Sequence, residues 1–227
     1  MVLVKHTSFF AWSLYFDWID SSDLSTIDET TLKNFLELFK SEPLGQIIYA
    51  YVLSDLSPFK IDIEEKKKPS KSKELSQEEQ QLEQLETDET DSSLAPEELL
   101  ALMVQGLESC KTSLLAYRIV LSYQIHLKLF ESALATCQAA IQLLATSTRH
   151  TGFDFKNSKE YLLVNYGVVL TYYEAPKNFK RALQIFDKIL VESPTNVNAR
   201  VGKGLILVER GELQDARTLL AQVSEEF

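Results

Sequence analysis

Along most of the chain apolar residues recur every three or four positions, the spacing of a helix that turns one face to a core. In PEELLALMVQGLESC, residues 96–110, Leu99, Met103, Gly106, Leu107 and Cys110 share such a face. Pro96 and the acidic pair Glu97 and Glu98 stand at its start, where a fixed φ and negative charge both suit a helix N-terminus. Glycine (seven) and proline (six) are scarce, so little interrupts the pattern. It predicts helices through most of the sequence.

The pattern itself repeats. Ala182 and Phe186 return 34 residues later as Ala216 and Leu220. A helix-turn-helix unit of 34 residues is the mark of a tetratricopeptide repeat, or TPR. Small residues let helices A and B of one unit approach, and large ones fill the space between stacked units. Ala182, Phe186 and Ile189 take the characteristic places of a helix B, and Pro194 closes it. Gly167 is the small residue of its helix A but stands three residues early, so YEAPKN holds an insertion of about one turn, with Pro176 starting helix B. In the next unit Gly204 and Leu207 belong to helix A, Gly211 to the turn, and Leu213, Ala216 and Leu220 to helix B.

Earlier units follow by stepping back. Tyr117, Ala133, Cys137 and Ala140 fit a third, but Ala133 and Ala182 are 49 residues apart. The surplus is assigned to ATSTRHTGFDFKNSKE, whose Ser, Thr, Asn and Gly suggest an inter-repeat loop. One period before Ala133 lies Leu99, in a helix B with no helix A just upstream; LGQIIYAYVLSDL, residues 44–56, supplies one. FFAWSLYFDWID, with Trp12, and ETTLKNFLELFKSEP, with Phe35, Leu38 and Pro43, make a degenerate first unit. The expected fold is all-α: a right-handed superhelical α-solenoid of TPR repeats with a disordered acidic insertion. The expected boundaries are degenerate TPR helices over 1–56, a linker over 57–95, TPR helices over 96–147, an inter-repeat loop over 148–161, and two repeats over 162–227, the last truncated.

The linker changes the picture in one respect. Residues 62–91 carry eleven acidic and five basic side chains and no aromatic one, which is −6 of the chain's net −10. Such a stretch buries too little apolar surface to offset its ordering entropy, and is read as a solvated spacer, with a docking motif as the sharper alternative. The acidic balance opposes nucleic acid as the main ligand. The N-terminal residues lack the order of a secretory signal, and no apolar run approaches the ~20 residues of a membrane span. A cytoplasmic placement is expected, with the nucleus as the alternative, and no membrane partner.

Chemistry is sparse. His6, His126 and His150 lack a metal-ligand spacing. Cys110 and Cys137 sit at apolar positions and read as buried reduced thiols. The GKG at 202–204 has no glycine five residues before its GK pair and no hydroxyl residue after Lys203, so it is not a phosphate loop. GxSxG, HExxH and CxxC are absent. The chain is expected to be no enzyme and to hold neither cofactor nor metal. What a TPR unit offers instead is a concave groove lined by its A helices. Here the candidates are Arg118, Ser122 and His126, then Tyr161, Asn165, Val168 and Tyr172, then Asn198, Val201, Leu205 and Glu209. Tyrosine and asparagine suit recognition of a peptide or helix.

Beyond the generic repeat, four stretches carry a closer resemblance: MVLVKHTSFFAWSLYFDWID, EPLGQIIYAYVLSDLS, EAPKNFKRALQIFDKIL and NVNARVGKGLILVERGELQDARTLLAQV. The Ala-Pro in the turn of one repeat and the GKG in helix A of the next are foreign to the TPR pattern. With these the chain resembles the fungal TPR scaffold subunit of the Ski (superkiller) complex everywhere except the acidic linker. The resemblance implies a non-catalytic scaffold, of which this chain would be an internal piece. Its implied partners are a DExH RNA helicase subunit, WD-repeat propeller subunits and an exosome-bridging factor, with RNA engaged only indirectly, in 3′-to-5′ mRNA decay. Two other readings stay open. A peptide-clamping co-chaperone wants Lys and Asn at fixed helix A positions, and only Asn165 is suitable. Direct RNA binding would draw on Lys177, Lys180, Arg181, Arg200, Lys203 and Arg210 in the last two repeats.

Overall fold

The computed structural model describes Trp12, Tyr15 and residues 28–59, 94–152 and 155–224. Most of the acidic linker and of the first aromatic segment therefore lie outside the described residues. Among the described residues there are nine helices and no strand. They are α1 (Glu29–Phe39), α2 (Pro43–Leu53), α3 (Pro96–Ser109), α4 (Leu114–His126), α5 (Phe130–Thr151), α6 (Lys156–Tyr172), α7 (Phe179–Glu192), α8 (Val197–Glu209) and α9 (Leu213–Ser224).

Short polar residues start several of them. The Asp28 carboxylate accepts from the backbone N–H of Thr31 at 2.9 Å and also from its hydroxyl, which hold that carboxyl below its usual range. Ser113 caps α4 through Ala116 N–H, and Asn196 caps α8 through Ala199 N–H. Pro96 opens α3, and Glu98 reaches back to the N–H of Ala95 at 3.0 Å.

Each helix packs on the next, and α2, α4, α6 and α8 also touch in succession. The result is two layers, A helices on one side and α1, α3, α5, α7 and α9 on the other: an all-α TPR solenoid. Three buried apolar clusters fill it, the first between α1 and α4, the second between α4, α5 and α6, the third between α6, α7 and α8. Trp12 is fully buried in the first, its ring 5.5 Å from that of Phe35.

Close approaches fix this stacking. Residues 54–95 separate α2 from α3, yet the two pack intimately. Gly106 makes that possible: a Cβ there would sit 2.7 Å from Ile47 Cγ1 and 2.7 Å from the carbonyl oxygen of Pro43. Further along, the ring of Phe186 in α7 is fully buried between two glycines on different A helices. A Cβ on Gly167 would come within 2.6 Å of the ring, and one on Gly202 within 2.4 Å. Gly204 stands to Leu220 as Gly167 does to Phe186, so the same pairing recurs one repeat on.

Several expectations need correction. The stretch 148–161 is not a loop. Helix α5 runs through Thr151 and α6 starts at Lys156. Two of the residues that suggest a loop bond inside the helix: the Thr146 and Thr151 hydroxyls donate to the carbonyls of Gln142 and Ser147. Gly152, at φ 65°, ends α5 in the left-handed conformation. The surplus residues thus lengthen two helices. Pro176 does not start helix B either; α7 begins at Phe179. Residues 173–178 form consecutive turns, with Asn178 Nδ2 donating to the Tyr173 carbonyl at 2.8 Å. Leu38 is 49% exposed, and Phe39 turns inward in its place. Leu213 is also exposed, and Cys110 is only half-buried.

Replacing Gly106 with Ala is expected to destabilise the fold by about 1–3 kcal/mol by overpacking, outweighing a helix-propensity gain of about 1 kcal/mol. Urea unfolding measures this; an unchanged or higher midpoint would show that α2 and α3 are not so tightly apposed. Burial pushes the Cys137 thiol up to about 12 from 9.0, and its Sγ–H donates to the Leu162 carbonyl. A raised folded pKa makes this contribution to stability fully present below the unfolded value and lost as pH rises from about 9 towards about 12. At pH 8, Cys110 is expected to alkylate in the folded chain, and Cys137 only on unfolding, as read by mass spectrometry of iodoacetamide-treated protein.

Candidate partner groove

The A helices α4, α6 and α8 meet at a concave groove of about 610 Å³. Helix α4 contributes Arg118. Helix α6 contributes Asn157, Glu160, Tyr161, Val164, Asn165, Val168, Thr171 and Tyr172. Helix α8 and its cap contribute Asn196, Asn198, Val201, Gly202 and Leu205. The helical period explains the set: Tyr161, Val164, Val168 and Thr171 recur at three- and four-residue steps, so one face of α6 supplies the floor.

One wall is built by Tyr161. The Arg118 guanidinium lies over its ring at 4.0 Å, and its hydroxyl shares a hydrogen bond with Ser122 of α4. Asn165 Nδ2 donates to the Tyr161 carbonyl at 2.9 Å, which orients the amide and leaves its oxygen to accept. At the other end Tyr172 stacks on Phe130 of α5, centroids 5.2 Å apart, with 52% of its surface exposed. Near the start of α6, Glu160 accepts from Ser193 and Asn196. Beside it Lys159 bonds Glu192 at 2.7 Å, which holds the Glu192 carboxyl below its usual range.

The structure therefore brings together Arg118, Tyr161, Asn165, Tyr172 and Asn198. His126 and Glu209 do not line the groove. His126, in the last turn of α4, turns to Asp55 beyond α2, with Nε2 2.9 Å from the carboxylate, and stacks on Tyr123. Glu209 ends α8, exposed, four residues past Leu205. Sequence reasoning missed Asn157, Glu160, Val164, Thr171, Asn196 and Gly202. The first two fall in the stretch read as a loop; Asn196 was visible as a Ser/Asn-type cap after Pro194. Val164 and Thr171 were legible from the helical period alone.

Five of the six basic residues named for RNA binding, all but Lys180, are engaged within the chain. Lys177 pairs with Glu174 at 2.9 Å, Lys203 with Asp187 at 2.6 Å, and Arg210 with Glu212 at 2.8 Å. Arg181 donates to the Tyr166 hydroxyl, and Arg200, 8% exposed, to the Pro194 carbonyl. These contacts dilute any continuous positive surface for a phosphate backbone. Among the described residues no group of three or more His, Cys, Asp or Glu side chains is placed to hold a metal ion, and no helix is long and apolar enough to cross a membrane.

Comparison with known proteins agrees with this architecture. The tetratricopeptide repeat family matches residues 175–227. Superkiller protein 3 of Saccharomyces cerevisiae is 29% identical over 264 residues, an alignment covering 100% of this chain and 18% of that protein. Superkiller protein 3 of Schizosaccharomyces pombe is 29% identical over 215 residues, covering 91% of this chain and 16% of the relative. The chain spans less than a fifth of the length of these curated relatives.

Tyr161→Phe keeps the ring beneath Arg118 but removes the bond to Ser122, and is expected to lower stability by about 0.5–1.5 kcal/mol in urea unfolding. Tyr161→Ala is expected to cost more, since the cation then loses its aromatic face. Equal effects of the two would show that the ring contributes nothing as a platform.

Proposed function

From a TPR solenoid similar throughout its length to superkiller protein 3, we propose that this chain serves as a non-catalytic scaffold of the Ski complex. In this reading it helps assemble a DExH RNA helicase with WD-repeat propeller subunits, meets an exosome-bridging factor, and so assists 3′-to-5′ mRNA decay in the cytoplasm. RNA would be handled by the partners and only indirectly by this chain.

The observation that carries the reading is the alignment over the whole chain, not over the repeat alone. A match confined to residues 175–227 would indicate only a TPR. The architecture supports it in a second way. A solenoid exposes a long continuous surface relative to its mass, and its A-helix face here is a shaped groove with aromatic and amide groups, suited to holding proteins.

Affinity purification of the tagged chain from cells that make it tests the proposal by mass spectrometry. Helicase, propeller and exosome-bridging subunits are expected to co-purify with it. Recovery of chaperones without any decay factor would overturn it.

A further inference from the structure

Two serines of this chain stand directly before a proline, Ser57 and Ser193, and the structure treats them differently. Ser193 closes α7. Its hydroxyl donates to Glu160 of α6, and the carbonyl of Pro194 accepts at 2.9 Å from Arg200 of α8, which is buried. Freeing that serine means parting contacts among three helices. Ser57 lies in the turn that follows α2, and its partners are local. The hydroxyl accepts from the backbone N–H of Phe59 at 3.1 Å and donates to the Phe59 carbonyl at 3.3 Å. Its own N–H donates to the Ser54 carbonyl at 3.2 Å. Freeing Ser57 breaks bonds within one turn and parts no helices. Leu56 and Phe59, on either side, are partly buried against the first core cluster, while Pro58 is exposed. The turn is thus held by two apolar anchors with the serine between them.

The residues after Ser57 have the form of an enzyme's recognition sequence. Ser57-Pro58-Phe59-Lys60 places a proline directly after the hydroxyl and a base three positions on. Each has a physical reason. A residue before proline is held extended, as an acceptor lying along an enzyme cleft must be. Proline has no backbone N–H, so it suits a cleft with no acceptor at that position, where any other residue would leave its N–H unpaired. Lysine offers a charge-assisted hydrogen bond to an acidic group of the enzyme. Ser193 has the proline, but Asn196 stands where the base would be, and its side chain caps α8. Of the chain's six prolines, no other follows a serine or threonine.

We propose that Ser57 is a phosphorylation site of a proline-directed protein kinase that prefers a base at the third position. Ser57 Oγ attacks the γ-phosphorus of ATP. The Oγ–P bond forms, the bond from that phosphorus to the oxygen of departing ADP breaks, and the hydroxyl proton passes to a base of the kinase. The phosphoserine carries roughly two negative charges at neutral pH. They fall two residues after Asp55 and shortly before the stretch 62–91 with its −6. Modification therefore carries the acidity of that stretch back to the end of α2.

The full chain, incubated with a purified cyclin-dependent kinase and Mg-ATP and mapped by mass spectrometry, tests the site. Ser57 is expected to be modified about tenfold or more faster than Ser193. Ser57→Ala is expected to remove the main phosphate, Ser57→Thr to keep it, and Lys60→Ala to slow it about tenfold. The same phosphate is expected on the tagged chain recovered from growing cells treated with a phosphatase inhibitor. Absence of phosphate from Ser57 in the purified reaction or in the cells, faster modification of Ser193, or indifference to Lys60→Ala would each overturn the proposal.

Discussion

Helices α6, α7 and α8 are positioned by one ring. Phe186 lies fully buried where α6, α7 and α8 converge, with Gly167 on one side and Gly202 on the other. Burial of such a side chain is worth about 1.5–3 kcal/mol, but its larger effect is geometric. Two glycines without Cβ atoms let both A helices settle against the ring, and that sets how near α6 and α8 come to each other. The separation of the groove's two sides, on α6 and α8, follows from it. The shape of the candidate groove on one face is thus dictated by packing on the other.

The same device recurs along the solenoid with different residues. Gly204 against Leu220 repeats the pairing one unit on, and Gly106 against Ile47 supplies it where α2 and α3 meet. In that case the two helices of a repeat are not consecutive in the chain, since residues 54–95 lie between them. Stacking tolerates such an insertion because loop closure costs grow only slowly with length, whereas the helix contact is formed in full. The groove differs from these contacts in being stitched by polar groups: the Tyr161 wall is held by Arg118, Ser122 and Asn165, and the start of α6 by Ser193 and Asn196.

Much of the helical architecture was legible in the linear sequence, because a 34-residue period and helical spacing of apolar residues are local properties. Ala182, Phe186, Ala133 and Cys137 could be placed in their helices from that pattern, and all four are buried. The misreadings have a common cause. Residues 145–151, ATSTRHT, looked like part of a loop, but the Thr146 and Thr151 hydroxyls bond the carbonyls four residues before them and so belong to the helix. The three-residue misfit at Gly167 was real, but it is absorbed by turns over 173–178 instead of an early helix start at Pro176.

The class of fold, the repeat and the apolar faces could be read from residue order, since each shows as a fixed period along the chain. Only the tertiary structure decided which residues share the groove. Arg118 and Tyr161 are brought together by the stacking of α4 on α6, while His126, one helical face from Arg118 by spacing alone, is drawn away to Asp55. Whether a side chain at the end of an A helix faces the groove depends on neighbours from other repeats. No period along the chain encodes those neighbours.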